Sequence, residues 1–397
     1  MEHVKAKVEN GQIIAVSLLT AICLLGDSML YLILPIYYKE LGFTLFEVGL
    51  LLSINRLVRI PLGLFVGGIY RKIKIKTGLW IALFLGGFTT IGYGWAEGLI
   101  PWLTLRVLWG CSWTLLRIGG LIIVTCDSAE EKHGEGMGLY NGLYRLGSLV
   151  GILAGAVLVV SIGFQYTCYL LGGLVFFFIP WMKWIHSPQV DEEGGNNEEK
   201  FLENIRGEWL LLLTGFIISF HIQGVLNWTI GYLLTHKYTD IGMVSFGGFF
   251  LHSTILAGVL SGVRWMWEPF LALYVGRFSD HRGRKPFLLW GISLFAVAFA
   301  LFSMTFSFII WLMLCLFLLI LATVLTTISD SMMADRAKRT SVNRLSTLYT
   351  SVVDIGAAFG PLWASYVLGQ FKWGEWILFD GGAVILLLLA CMWKTRG

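Results

Sequence analysis

The chain is 397 residues long, and it is 56% hydrophobic with only 14% charged residues. Soluble domains carry about 25% charged residues, so this composition excludes an ordinary soluble protein. The formal net charge of +4 does not indicate a nucleic-acid-binding protein, because the basic residues lie in short segments between apolar runs. Apolar windows of about 20 residues recur along the chain, so we predict an all-α polytopic membrane protein that is embedded in the lipid bilayer.

Twelve segments are long and apolar enough to cross a bilayer as helices. They cover residues 11–37, 45–69, 77–95, 99–125, 137–162, 166–185, 209–234, 245–275, 286–305, 308–331, 342–368 and 373–393. An even number of spans places both termini on one side of the membrane. The loops on that side are rich in Lys and Arg, whereas the opposite loops hold only Lys39, Lys237 and Lys372. Positive loops face the cytoplasm, so we expect a multi-pass plasma-membrane protein with both termini inside.

A short basic segment joins the eighth and ninth spans and reads G-R-F-S-D-H-R-G-R-K from Gly276 to Lys285. It resembles the signature loop of the major facilitator superfamily, G-x-x-x-D-x-x-G-R-K. The resemblance is carried by Gly276, Asp280, Gly283, Arg284 and Lys285, and Arg282 is a further basic residue of the loop. The resemblance implies twelve transmembrane helices in two pseudo-symmetric six-helix bundles, which transport a small molecule by alternating access.

The two halves of the chain repeat at an offset of 209 residues. This offset relates Gly67 to Gly276, and it relates Gly147 and Gly151 to Gly356 and Gly360. We therefore predict an N-terminal bundle over residues 1–186, a cytoplasmic linker over 187–208 and a C-terminal bundle over 209–397. The first-half counterpart of the signature loop has Arg71 where the signature has Asp.

The first and fourth spans carry a carboxylate and an arginine at similar depth. Asp27 lies in the first span, and Arg106 begins an R-x-x-W-G segment that resembles a family motif with Trp109 in place of Gln. The resemblance implies that Asp27 binds and releases protons, with Arg106 as its partner. A permanently paired structural Asp27 is the alternative.

Other polar and aromatic residues in the spans are candidates for a substrate cavity. Charged groups in lipid are costly and generally face a bundle interior, whereas a lone polar residue often hydrogen-bonds a neighbouring helix instead. Aromatic residues often serve packing alone, so both interpretations stay open. The candidates are Tyr31, Arg56, Trp109, Trp113, His221, Gln223, Asn227, His252 and Arg264.

The glycines of the fifth span admit two interpretations. Gly147 and Gly151 lie four residues apart, which is the spacing of a close helix–helix contact. The same segment resembles an antiport motif of the family, except that Ile152 stands where that motif has Pro.

From these features we expect proton-coupled export of a small amphipathic compound. The alternative is an uptake carrier or uniporter for an organic anion, because six arginines lie within the spans against Asp27, Glu268 and Asp354. No spacing of His or Cys indicates a metal, a cofactor or an enzyme. We expect a monomer whose partners are the substrate, protons and lipid, with no nucleic acid.

The 209-residue offset also pairs charges of opposite sign. It relates Arg59 to Glu268, and Arg145 to Asp354. The family resemblance implies that the second span packs on the eleventh and the fifth on the eighth, which would place Arg59 by Asp354 and Arg145 by Glu268. Pairing within each half, with Arg56 or Arg264 as the competing partner, is the alternative.

A charge exchange tests the predicted pairs. Arg59→Asp or Asp354→Arg alone would leave a buried charge without its partner, at about 3–5 kcal/mol. We expect each single change to remove transport and the double exchange to restore it. Carboxylate-to-guanidinium distances beyond about 6 Å for both pairs, in a structure closed on the cytoplasmic side, would contradict the prediction.

Overall fold

A computed structural model describes residues 2–127, 133–186, 198–239, 243–246, 249–337 and 342–395. Thirteen α-helices account for most of these residues. They are α1 Glu2–Tyr37, α2 Leu45–Lys72, α3 Ile75–Tyr93, α4 Leu99–Asp127, α5 His133–Ile162, α6 Phe164–Phe178, α7 Glu198–Ser219, α8 Asn227–Lys237, α9 Ser253–Arg282, α10 Arg284–Leu301, α11 Phe308–Ala337, α12 Val342–Gln370 and α13 Gly374–Thr395.

Ten membrane-spanning candidates occur among the described helices, counted by length and apolar composition. One of them runs from Glu208 to Lys237 through α7 and α8, which are joined by a π-helical turn at Phe220–Leu226. The two other predicted spans correspond to α2 and α9, which have 28 and 30 residues. At 1.5 Å per residue both are long enough to cross a bilayer.

The helix that follows the predicted linker begins earlier than the sequence indicates. Residues 198–208, which we assigned to the linker, form the first turns of α7. The remainder of the predicted linker, residues 187–197, lies outside the described residues. Residues 198–208 include four Glu, one Lys and one Arg, and such residues are compatible with a helix that extends beyond the apolar span.

The eighth predicted span also begins later than expected. Residues 245–252 were assigned to it, but β1 Met243–Phe246 and β2 Phe249–His252 form an antiparallel hairpin before α9. The register pairs Met243 with His252 and Phe246 with Phe249. Phe and Val are common in strands as well as in buried helices. The prediction, which used hydrophobicity alone, therefore starts this helix eight residues before α9 begins.

The chain divides into two compact units. The first contains Met1–Phe43, Ile54–Gly194 and Ile241–Gly262, and the second contains Thr44–Ser53, Gly195–Asp240 and Val263–Gly397. The two units are not separated by a single boundary near the linker. The first turns of α2 belong to the second unit, and Ile241–Gly262 belongs to the first.

In the first unit, glycines let α5 lie directly against the backbone of α1. A Cβ added at Gly147 would lie 2.5 Å from the carbonyl oxygen of Ala21, and one at Gly151 would lie 2.6 Å from that of Leu25. A Cβ at Gly155 would lie 2.6 Å from Cγ of Met29. These glycines therefore have a packing role.

The second unit repeats this contact between α12 and the helix that contains α7. A Cβ added at Gly356 would collide with the carbonyl oxygen of Phe216. At the π-helical turn, a Cβ on Gly224 would lie 2.6 Å from Cα of Gly360. The glycine pattern that revealed the repeat in the sequence thus marks equivalent contacts in both units.

Substitution of Gly151 tests the packing role. Gly151→Ala places a methyl group against backbone that cannot rotate away, and overpacking of this kind costs about 1–3 kcal/mol. We expect a lower apparent melting temperature in detergent. The matched control is Gly142→Ala on the same helix, because a Cβ there has no heavy atom within 4 Å. Equal melting temperatures for the two variants would contradict the packing role.

Candidate functional site

The interior of the first unit contains a buried ion pair between α1 and α4. Arg106 Nη1 donates to Asp27 Oδ1 at 2.5 Å. Arg106 is fully buried and Asp27 is 3% exposed. A desolvated pair of this kind is stable only if its geometry is good and further hydrogen bonds satisfy its atoms.

An asparagine that the sequence analysis did not single out completes the cluster. Asn55 of α2 is fully buried, and its Nδ2 donates to Asp27 Oδ1 at 3.0 Å. Its Oδ1 accepts from Arg59 Nε at 3.2 Å and from Arg59 Nη2 at 2.9 Å. Arg59 Nη2 lies 3.9 Å from Asp27 Oδ2. Asn55 therefore connects the carboxylate of α1 to a second arginine.

Aromatic rings cover the guanidinium groups of this cluster. The Arg59 guanidinium lies 5.6 Å from the ring centre of Trp109 and 5.4 Å from that of Trp113. The two indoles stack with centroids 6.0 Å apart. These distances allow cation–π attraction, which is stronger where water is excluded. The two cavity candidates Trp109 and Trp113 of α4 thus contact an arginine of α2.

Tyr31 makes similar contacts with two arginines. The guanidinium groups of Arg56 and Arg106 each lie 5.4 Å from its ring centre. Arg56 Nε also donates to the Tyr31 hydroxyl at 3.2 Å. We define the arginine–aromatic cluster as Asp27, Tyr31, Asn55, Arg56, Arg59, Arg106, Trp109 and Trp113.

A glycine allows α2 and α4 to approach closely at this cluster. A Cβ added at Gly110, the last residue of the R-x-x-W-G segment, would lie 2.9 Å from the backbone oxygen of Asn55. The motif therefore supplies both the arginine that binds Asp27 and the space that Asn55 occupies.

In the second unit, charged and polar groups of α9 face α11. Arg264 Nε lies 3.7 Å from Glu268 Oε2, one helical turn away. Arg264 Nη2 donates to the Thr326 hydroxyl at 3.2 Å, and the indole of Trp267 donates to the Thr323 hydroxyl at 3.4 Å. Arg59 and Glu268 therefore each have an ionic partner within their own unit. The pairs Arg59–Asp354 and Arg145–Glu268 stay predictions.

The predicted polar residues of the seventh span lie within the π-helical turn or directly after it. His221 is 1% exposed, its Nδ1 lies 2.7 Å from the Ile217 carbonyl oxygen, and its ring packs edge-on against Phe299. Gln223 is half-buried within the same turn, and Asn227 is exposed at the first position of α8. A π-helical turn in an α-helix often accompanies a functional site.

His252 lies elsewhere than the sequence indicates. It ends β2, outside the helix, and its Nδ1 accepts from the backbone N–H of Thr254 at 3.3 Å. His252 thus interacts with the first turn of α9, where unsatisfied backbone N–H groups need acceptors.

The signature loop contains an ion-pair network. Arg284 Nη2 donates to Asp280 Oδ1 at 2.8 Å, and Arg284 Nε lies 2.8 Å from Asp335 Oδ2 at the end of α11. Gly283 has φ of 87°, which explains a glycine between α9 and α10. The Arg282 guanidinium lies 4.4 Å from the ring centre of Phe278.

Some acidic residues of the second unit escaped the sequence analysis. Asp335 follows the tenth predicted span, and its role is visible only through Arg284. Asp330 Oδ1 accepts from the Tyr349 hydroxyl at 3.1 Å, and Asp380 is half-buried on α13. Both Asp330 and Asp380 fall inside predicted spans, so their charge alone could have identified them.

Over the part of the chain that the structure describes, no group of three or more His, Cys, Asp or Glu could hold a metal ion.

Removing one or both charges of the buried pair tests its contribution to stability. Asp27→Asn strands the Arg106 cation, and the uncompensated charge costs about 3–5 kcal/mol. We expect Asp27→Asn to lower the apparent melting temperature in detergent, and the Asp27→Asn, Arg106→Gln double variant to recover most of the loss. A double variant less stable than either single variant would show that the two residues act independently.

The comparisons with known proteins agree with this architecture. The model of the Major Facilitator Superfamily matches residues 16–273 and 269–397. The quinolone resistance protein NorA of Staphylococcus aureus is 22% identical over 213 residues, which are 53% of this chain and 54% of that protein. An uncharacterized MFS-type transporter of Methanocaldococcus jannaschii is 26% identical over 166 residues, or 40% and 42% of the two chains. The matches span about half the length of these curated relatives.

Solved structures with the same fold cover nearly the whole chain. A bacterial homologue of the lysosomal transporter Spinster, in an inward-facing and unoccupied conformation, has a TM-score of 0.75 at 13% identity, with 98% of this chain and 96% of that chain covered. The nucleoside transporter NupG has a TM-score of 0.72 at 13% identity, with 98% of both chains covered. The predicted family and fold are confirmed, and the chain belongs to the major facilitator superfamily of membrane transporters.

Proposed function

We propose that this transporter exports a small amphipathic compound by alternating access and couples the export to protons through Asp27. The buried Asp27–Arg106 pair carries the proposal. Its carboxylate lies in a water-poor bundle interior, where any change in charge has a large energetic effect.

Protonation of Asp27 would alter the balance of charge in the arginine–aromatic cluster. With the carboxylate ionised, Arg106 has a counter-ion at 2.5 Å. With the carboxyl neutral, that fully buried cation has lost its counter-charge, a state that costs several kcal/mol unless the surroundings rearrange. A proton on Asp27 therefore favours a different conformation, which is the physical basis of coupling.

Two observations support export of an amphipathic compound. The stacked, buried Trp109 and Trp113, with Tyr144 edge-on against Trp113 at 5.7 Å, place flat apolar rings beside charged groups. The relative NorA is named for quinolone resistance, which is consistent with removal of a compound from the cell.

An organic-anion carrier is the second candidate. Two guanidinium groups, those of Arg59 and Arg106, lie 3.9 and 2.5 Å from the carboxylate of Asp27, and the guanidinium of Arg56 lies against Tyr31 in the same arginine–aromatic cluster. Guanidinium groups bind carboxylates and phosphates through paired hydrogen bonds. The nucleoside transporter NupG shares only the fold at 13% identity, so it does not favour uptake of nucleosides.

The experiment uses the purified protein in proteoliposomes that contain a trapped pH indicator. Compounds are first selected from a metabolite and drug panel because they raise the apparent melting temperature, as a ligand of the folded state must. When a selected compound is added outside, antiport predicts that the lumen becomes alkaline as protons leave and the compound enters. Symport predicts acidification, and a uniporter predicts uptake without either change.

Asp27→Asn should abolish the proton movement while the same compound still stabilises the variant. The control is Glu40→Gln, an exposed carboxylate beyond the end of the same helix, which should move protons like the wild type. Proton movement that survives Asp27→Asn would contradict coupling at Asp27.

A further inference from the structure

We propose that Asn55 is a positioning residue that holds the Arg59 guanidinium away from Asp27 Oδ2 and so keeps this oxygen available for the transported proton. The inference rests on the proposed function, since it assigns the atom that takes the proton and the side chain that protects it.

The two oxygens of Asp27 have different surroundings. Oδ1 accepts from Arg106 Nη1 at 2.5 Å and from Asn55 Nδ2 at 3.0 Å. Arg59 Nη2 lies 3.9 Å from Oδ2, which is beyond hydrogen-bond distance. A proton can therefore add to Oδ2 without breaking either hydrogen bond of Oδ1. The step forms an O–H bond on Oδ2 and breaks an O–H bond of the hydronium ion that donates the proton, which leaves a water molecule.

The chemistry of the three groups fixes the orientation of the Asn55 amide. A carboxylate only accepts hydrogen bonds and a guanidinium only donates them. The amide must therefore direct its NH2 toward Asp27 and its oxygen toward Arg59. Leu lacks both groups, and the acceptor-only Asp could not donate to the carboxylate. Asn fits this position because it has a donor and an acceptor on one short side chain.

The contact with Asn55 holds one edge of the Arg59 guanidinium, whose face lies against Trp109 and Trp113. Its Nε and Nη2 both donate to Asn55 Oδ1, at 3.2 and 2.9 Å, while Nη2 remains 3.9 Å from Oδ2. A shift of about 1 Å would turn this separation into a direct charge-assisted hydrogen bond. Such a bond would stabilise the ionised carboxylate and oppose its protonation.

Arg59 is also the more exposed of the two arginines beside Asp27. Its side chain is 13% exposed, whereas that of Arg106 is fully buried. When a proton neutralises Oδ2, the attraction between Asp27 and Arg59 disappears, and the new O–H meets a group that can only donate. The change at Asp27 is therefore transmitted to Arg59 and to the Trp109–Trp113 stack beneath it.

Among the described residues, the neighbours of Asp27 include charged and titratable groups of four helices. They are Arg106 of α4, Arg59 of α2, Tyr93 of α3, and Cys23 and Tyr31 of α1. Arg56 of α2 lies against Tyr31, Cys168 of α6 lies beside Tyr93, and α5 meets this part of α1 through Gly151 and Gly155. Arginine remains a cation, and thiols and phenols are ordinarily neutral below about pH 8. We therefore assign the transported proton to the carboxyl of Asp27.

The test needs no substrate, because the ligand is the proton. Infrared difference spectra of the full chain in proteoliposomes, recorded as pH changes, detect the C=O band of a protonated carboxyl group. The part of this band that is missing from the Asp27→Asn, Arg106→Gln double variant belongs to Asp27. Its midpoint is then compared between the wild type, Asn55→Leu and the smaller change Asn55→Ser.

We expect both Asn55 variants to lower the midpoint by about 1 pH unit or more, because Arg59 then pairs directly with Oδ2. Adding Arg59→Gln to Asn55→Leu should raise the midpoint again. The control Ser112→Ala removes a buried hydrogen bond of α4 to the Ala82 carbonyl and should leave the midpoint unchanged.

The outcomes separate this inference from the proposed function. An Asp27 band with a midpoint that Asn55→Leu and Asn55→Ser leave unchanged or raise would overturn the role of Asn55 and leave proton coupling intact. A lowered midpoint that persists after Arg59→Gln would also overturn it. Absence of an Asp27 band in the wild type between about pH 4 and pH 9 would overturn proton coupling at Asp27 itself.

Discussion

A charge within the bilayer must be compensated inside the protein, and this constraint arranges the interior of the first unit. Asp27 and Arg106 offset each other at 2.5 Å, Asn55 donates a second hydrogen bond to the carboxylate, and the Tyr31 ring lies against the Arg106 guanidinium. Three helices must come together for this to occur, since α1 supplies the carboxylate, α4 its cation and α2 the amide. The site is therefore also a structural centre, and substitutions there will affect stability and transport together.

Close contact between backbones is what makes such an arrangement possible. Gly110 lets α2 approach α4 at Asn55, and Gly151 lets α5 approach α1 at Leu25. In lipid there is little hydrophobic gain from helix association, so packing and hydrogen bonds at these contacts have to provide it. The polar cluster and the glycine contacts thus depend on one another. A displaced helix would separate the charges, and an unpaired charge would oppose the packing.

Much of this fold could be predicted from the sequence, because three of its features are each compatible with few structures. These features are the long apolar segments, the basic loop at Gly276–Lys285 and the repeated glycines. Asp27 and Arg106 could be related because both are charged and lie at similar depth. Asn55 could not, since an uncharged amide on an apolar helix has no signal of its own, and only its position one turn before Arg59 would have indicated it. The hairpin before α9 was missed because the same apolar residues suit a strand or a helix.

The π-helical turn at Phe220–Leu226 bears on how the duplicated halves diverged. The carbonyl oxygens that meet Gly147 and Gly356 belong to Ala21 and Phe216, and those that meet Gly151 and Gly360 belong to Leu25 and Phe220. Ala21 and Phe216 are 195 residues apart, and so are Leu25 and Phe220. The same offset relates Asp27 of the first unit to Ile222 of the second, which lies inside the π-helical turn. At this level one unit has a carboxylate on α1, while the other has a π-helical turn, in which the backbone hydrogen bonds span one more residue. The close glycine contact is present in both units, and the buried carboxylate at this level is present in the first.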